Sequence, residues 1–546
     1  MIARYIATLL FIAMVLCTSA YSRSVCGTEL MIKNRHGQSL AKPSVQSTSI
    51  SLCNSEDLYD SVYTRTTDHF QIFYTLSGPH KTTAAFVDYL ASYVEEARKF
   101  HTEKMGMQPP QGISETHHYQ KPVKEGLYPV EILDISLVRN SHSVFGQICN
   151  ECYGATYSPE ENNESELMIE NDFRHQPSLQ VAYDTISKDN QSCVYPRPTV
   201  EFENKAHGYS YAEHWKEGIR VTVIHELYHA IQLGYHPFTK ETFWFEASAS
   251  GIEEIANPDI DDYFSYLSSM STKVGTPLNQ MGQPYGAGIL LIYLYNFVDK
   301  KIDKAIWENY KKNPNKLFPE QFKAVIDQKK LSVDSLFQDF ATRLSFAGNR
   351  STFIDSTELI CKDEPRWPEF SYIQLKTNGD NKSVKPAIND LAYKFYSNGS
   401  PILEDFLGQV SAVAYQGKSA QIENFKTTND ADLFYAQASA NSSIDSIAWI
   451  FSNFNSQEYL PTVLKDSTLR AYPVPWREGY LCFTPLPHDK HFIEIRNRRG
   501  NLISREKYEG STLCLEESRV RELMAPGVYR FRVGNSGKTK DFIIIY

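Results

Sequence analysis

The chain has 546 residues, 42% hydrophobic and 22% charged, with a formal net charge of -10. That length exceeds one ordinary hydrophobic core and predicts two or three domains with room for a catalytic cleft. The acidic balance comes without a basic stripe or polycationic arm, which argues against nucleic acid as the natural partner.

Residues 1–20, MIARYIATLLFIAMVLCTSA, carry one early positive charge, an apolar run from Ile6 to Leu16, and the small residues Thr18 and Ala20 spaced like an export cleavage site. They read as a signal peptide. No other run approaches the ~20 apolar residues that span a bilayer, so the mature chain is expected to be secreted or held at the cell surface. Losing Cys17 with the signal leaves cysteines at 26, 53, 149, 152, 193, 361, 482 and 514. An even count in an exported chain favours disulfides. Cys26 with Cys53 and Cys482 with Cys514 are the natural pairs, while Cys149, Cys152, Cys193 and Cys361 leave three pairings open.

Residues 21–65 read as an N-terminal arm or short pro-region. Asp68 to Thr75, DHFQIFYT, alternates like a strand, and Thr82 to Phe100 carries Phe86, Leu90, Val94, Ala97 and Phe100 at helical spacing. Tyr128 to Leu137 and Glu166 to Phe173 are further strand candidates. Arg220 to Leu233 is a helix with Gly234 placed to end it, and helices follow over Ala287 to Val298, Lys304 to Lys311 and Val333 to Leu344. After Cys361 helical periodicity fades into short alternating segments, predicting β-rich domains at 363–465 and 466–546.

The chemistry concentrates in IHELYHAIQ, Ile224 to Gln232. Residues four apart on a helix share one face, so His225 and His229 can offer ring nitrogens to one tetrahedral ion at ~2.0–2.1 Å. Glu226 sits beside such an ion without being forced to bind it, and its carboxylate suits a general base. The competing reading is a buried helix whose histidines bond to backbone or water. A site needs a third protein ligand, and FWFEASASGIEE at 243–254 supplies Glu246, with Glu253 and Glu254 as rivals. The small residues Ala247 to Gly251 would let this second helix pack close beneath the first. Tyr285 is a candidate donor for a developing oxyanion, against the plainer reading of a core aromatic. DIDD at 259–262 lacks the regular spacing of a calcium loop and reads as a solvated acidic turn.

IHELYHAIQLGY followed by WFEASAS resembles the gluzincin pattern, HExxH with a downstream Glu, and in particular an uncharacterised bacterial family of secreted metalloprotease-like proteins. DHFQIFYT, the Tyr128–Asp134 strand, IENDF at 169–173 and PYGAGILLIYLY at 284–295 follow that family's order. The resemblance implies zinc as cofactor, His225, His229 and Glu246 as its ligands, and Glu226 as general base. The resemblance covers about residues 66–345, and the zincin-like domain is expected over 66–362. Where the family has Glu-Gly, this chain has Glu246-Ala247.

The end of the chain, from AYPVPW at Ala471 to the closing LMAPGVYRFRVGNSGKTKDFIIIY, resembles type IX secretion sorting domains, with YPVP in place of YPNP. The resemblance implies the export machinery as a partner; an accessory β-sandwich is the alternative. The expected fold is therefore multidomain α+β: a zincin-like mixed α/β catalytic domain followed by two β-sandwich-like domains. The expected activity is that of a secreted zinc endopeptidase acting on protein or peptide. The alternatives are a zinc hydrolase of a non-protein amide and a non-catalytic surface or adhesion protein with a structural HExxH helix.

Overall fold

The computed structural model describes residues 53–454 apart from short internal stretches, the longest being 139–150 and 375–387, together with parts of 470–544. The expected signal peptide, Cys26, Cys149 and most of the N-terminal arm lie outside the described residues. The chain divides into two compact units, with the division after Gln457. Among the described residues no helix is long and apolar enough to cross a membrane.

The first unit is built on a six-stranded sheet. Its strands are β1 (Tyr63–Thr66), β2 (Phe70–Tyr74), β3 (Gln111–Gly112), β4 (Tyr128–Leu133), β5 (Gly154–Tyr157) and β6 (Glu164–Glu170). The order is β1-β2-β4-β6-β3, with β5 also paired to β6. Strands β2, β4 and β6 run parallel, with Phe70 opposite Tyr128 and Val130 opposite Leu167. β5 is antiparallel, setting Gly154 opposite Ile169. β4, YPVEIL, is buried at every position, which is why its sequence runs apolar rather than alternating.

Helix α1 (Ala84–Lys99) starts where the Thr83 side chain accepts the Phe86 N–H. It buries the predicted stripe of Phe86, Leu90, Val94 and Ala97. α2 (Trp215–Leu233) is buried from Gly218 onward at every residue but Arg220. It packs against the sheet, α1 and α3 (Phe243–Ala256), so no polar face is required of it. α4 (Phe264–Thr272), α5 (Gly288–Phe297), α6 (Ile302–Lys312), α7 (Phe318–Gln328) and α8 (Val333–Leu344) complete the helical part.

The small residues of α3 serve a second neighbour besides the one expected. A Cβ on Gly251 would lie 2.7 Å from the Gly288 carbonyl oxygen, and one on Gly288 would lie 2.7 Å from the Gly251 nitrogen. The close approach is therefore to α5. α2 and α3 meet instead through side chains, with Gln232 Nε2 donating to Ser248 Oγ at 2.9 Å and to the Phe245 carbonyl at 3.0 Å.

Beyond α8 lies a five-stranded sheet in the order 373–374, 392–397, 446–453, 409–416, 419–425. One face sends Tyr393, Phe395, Val413 and Ile450 into the main core, against α8. The other packs Phe425, Trp449 and Phe451 with a helix at Thr428–Ala440. Helices, rather than a second sheet, cover the sheet expected to form a sandwich. The covering helix TNDADLFYAQASA has too weak a stripe to announce itself.

Cys53 is joined to Cys193, not to Cys26 as the spacing suggested. The Cys53 N–H bonds to the Val194 carbonyl, so Cys53 is anchored to the hairpin of Tyr183–Lys188 and Gln191–Pro196. Cys152 is also disulfide-bonded, and Cys361 carries a free thiol.

In the second unit a three-stranded and a four-stranded sheet contribute to one apolar cluster that includes Phe483, Phe531 and Phe542. Cys482 and Cys514 face each other across paired strands and form the expected disulfide. On the four-stranded sheet, Glu494 is almost fully buried beneath Arg496, Arg505 and Arg532.

Candidate metal centre

Helical periodicity brings the two histidines of α2 one turn apart, with ring planes at 84°. Their Nε2 atoms are 3.0 Å apart. From the first turn of α3, Glu246 sets Oε2 at 3.4 Å from His225 Nε2 and at 3.3 Å from His229 Nε2. Three donors at ~2.0–2.1 Å from one tetrahedral zinc stand about 3.3 Å from each other, close to the three separations seen here.

The opposite ring nitrogens are already engaged. His225 Nδ1 meets Glu253 Oε1 at 2.5 Å, and His229 Nδ1 meets Gln232 Oε1 at 2.7 Å. Because Gln232 Nε2 donates to Phe245 and Ser248, its oxygen must face the imidazole. An acceptor at each Nδ1 puts the proton there and leaves both Nε2 atoms as lone pairs. Those lone pairs converge on a carboxylate whose two oxygens are buried and have no hydrogen-bond partner. Three electron-pair donors meeting in a site closed to water fit a cation. His225, His229 and Glu246 thus form a cluster compatible with a gluzincin-like zinc site.

Glu226 and His225 line one small cleft, whose interior of ≈ 10 Å³ is room for about one water. Its other walls include Gly154 of β5, Thr222, Tyr266 and Tyr285. Thr156 Oγ1, also on β5, lies 2.6 Å from the Glu226 carbonyl oxygen and 3.0 Å from its Oε2, so its single proton is shared between the two acceptors and sets the carboxylate beside the strand. β5 comes this close because Gly154 has no side chain: a Cβ there would lie 2.3 Å from Thr222 Cγ2 and 2.8 Å from Glu226 Cγ.

Tyr285, in a short 3-10 helix before α5, is buried, stacks on Tyr266 at 4.8 Å and stands 6.3 Å from the His225 ring, centroid to centroid. It is at once a core aromatic and a wall of the cleft. Glu253 and Glu254, the rival ligands, are not at the metal position: Glu253 holds the back of His225, and Glu254 faces another cluster. Sequence reasoning missed the contributions of Gln232, Thr156 and Gly154. For Gln232 a signal existed, since it follows His229 by three residues on the same helix face. Nothing in the local sequence tied GATY at 154–157 to the HELYH helix.

The acidic turn also differs from expectation. Asp261 and Asp262 are buried rather than solvated. Tyr211 and Tyr153 donate to Asp262 at 2.6 and 3.0 Å, while Arg220 pairs with exposed Asp259.

Set against protein-family models and curated proteins, the chain matches none. Among solved structures it shows a partial likeness to PorZ, described as an essential bacterial surface component of the type-IX secretion system of Porphyromonas gingivalis. Identity is 17%, coverage is 18% of this chain and 14% of that one, and the TM-score is 0.13. The chain thus spans about one seventh of that protein's length in the match, and the likeness carries no argument about fold or function.

Proposed function

We propose that this chain is an exported zinc-dependent endopeptidase, with His225, His229 and Glu246 as metal ligands and Glu226 as general base. The observation that carries the reading is the convergence of three unprotonated donors at tetrahedral spacing, next to a cleft walled by Glu226. A bound zinc ion would supply a Lewis acid that polarises a carbonyl and acidifies water. Glu226 takes the proton from the attacking water and delivers it to the departing nitrogen. Thr156 holds the Glu226 carboxylate in position for both transfers. Tyr285 is a candidate to steady the substrate oxygen. The signal peptide, the catalytic domain at 66–362, the β-rich region at 363–465 and a sorting function for 466–546 belong to the same proposal.

The test is metal content and hydrolysis of a fluorogenic protein substrate, before and after chelation. Zinc-dependent cleavage is expected, with kcat down by ~10²–10⁴ in Glu226→Gln while zinc is retained. A chain that holds no zinc, or whose Glu226→Gln variant keeps full activity, would make it a binding protein instead.

A further inference from the structure

A second group of ligand-type side chains converges near the end of α3. Glu254, near the end of that helix, meets Cys361 and Asp363 from the segment after α8, with ligand atoms all within 4.8 Å of one another. Glu254 is 5% exposed and neighbouring Asp261 3%. Glu254 Oε2, Asp363 Oδ2 and Asp261 Oδ1 are buried with no hydrogen-bond partner.

The cations nearby do not satisfy these atoms. Arg366 Nη2 bonds Asp363 Oδ1 at 3.0 Å and also bonds Asp261 Oδ2. His207 Nε2 adds a second contact to that same Asp261 oxygen at 3.0 Å. Lys362 is exposed and stays 3.9 Å from Asp363 Oδ2, beyond hydrogen-bond reach. The guanidinium thus satisfies one oxygen of each aspartate and leaves the other turned away from it. Unpaired carboxylate oxygens in a site this dry are costly unless a cation or a proton meets them, and burial pushes Glu254 up to about 9. The Cys361 thiol is free, with the Tyr263 hydroxyl 3.6 Å from Sγ.

We propose that Glu254, Cys361 and Asp363, with Asp261 Oδ1 alongside, bind a second divalent metal ion of the zinc class. Sulfur combined with carboxylate oxygen selects such a borderline ion over magnesium or calcium. Binding releases the thiol proton to solvent. The ion ties the end of α3, the helix that supplies Glu246 and Glu253, to the segment following α8. Its role is structural, and it is independent of the histidine cluster.

Cobalt(II) titration of the metal-free full-length chain tests this. The histidine cluster contains no sulfur, so a thiolate-to-cobalt absorption band that disappears in Cys361→Ser reports on Cys361. Two equivalents should bind, with the band present in wild type and in His225→Ala. Cys361→Ser should keep one equivalent and lose the band, and metal should protect Cys361 from alkylation in the wild type. If circular dichroism finds Cys361→Ser unfolded, loss of the band in Glu254→Gln decides instead. Cobalt binding without a sulfur band in the wild type, or a Cys361 that does not react with alkylating reagent in the unfolded, unreduced chain, would overturn the proposal.

Discussion

Glu253 and Glu254 are adjacent in sequence, yet ~100° of helical rotation sends them to different tasks. Glu253 Oε1 meets His225 Nδ1 at 2.5 Å and aims the other nitrogen at the cluster. Gln232 does the same for His229. Groups that orient metal-ligating imidazoles usually contribute 10–100-fold in affinity. Glu253→Gln should therefore weaken zinc binding about 10–100-fold with little change in fold, measured by competition with a chromophoric chelator. An unchanged affinity would mean that packing alone orients the ring.

At the scale of elements, the cleft depends on how closely β5 rides over α2. Gly154→Val would drive its side chain into Thr222 and Glu226, forcing strand and helix apart. Overpacking of this kind costs about 1–3 kcal/mol, readable as a lower denaturation midpoint. Activity should fall further than stability does, because the same displacement separates Thr156 from the Glu226 carboxylate. The Cys53–Cys193 bridge acts on another element, holding Cys53 to the hairpin across 140 residues of sequence. Replacing both cysteines with serine should cost about 2–5 kcal/mol, measured by urea unfolding.

The molecule as a whole carries buried titratable groups that should shape its stability against pH. Burial pushes Glu131 up to about 7 from its ordinary 4.5, against the lowering by the Tyr119 and His118 N–H donors. Its folded value is the higher one, so its contribution is fully present below about 4.5 and is lost as pH rises through about 7. Glu131→Gln should flatten that neutral-side decline in urea midpoints measured from pH 4 to 8. Histidines act on the acid side: burial lowers His101 to about 3 and His118 to about 4. Unfolded chains bind those protons first, so stability should fall as pH drops below about 6.5, by up to ~10-fold in the folding equilibrium per unit and per histidine.

How much of this was legible follows from the range of each interaction. The HELYH helix, its paired histidines and the apolar stripe of α1 were readable because residues three and four apart meet within one helix, whatever the rest of the chain does. Glu246 was readable as a ligand type, but its choice over Glu253 and Glu254 depended on how α3 rotates against α2. The pairing of Cys53 with Cys193, the approach of β5 to Glu226, the closeness of Gly251 to Gly288 and the helices that cover the later sheet were not readable. Each brings together segments far apart in sequence, and their separation is set by packing rather than by any local pattern. The sequence by itself determined the donor types and the helix that carries two of them. Only the tertiary structure decided which carboxylate completes the cluster, what holds each imidazole, and where unpaired oxygens gather around Cys361, because those outcomes depend on contacts between elements that share no local register.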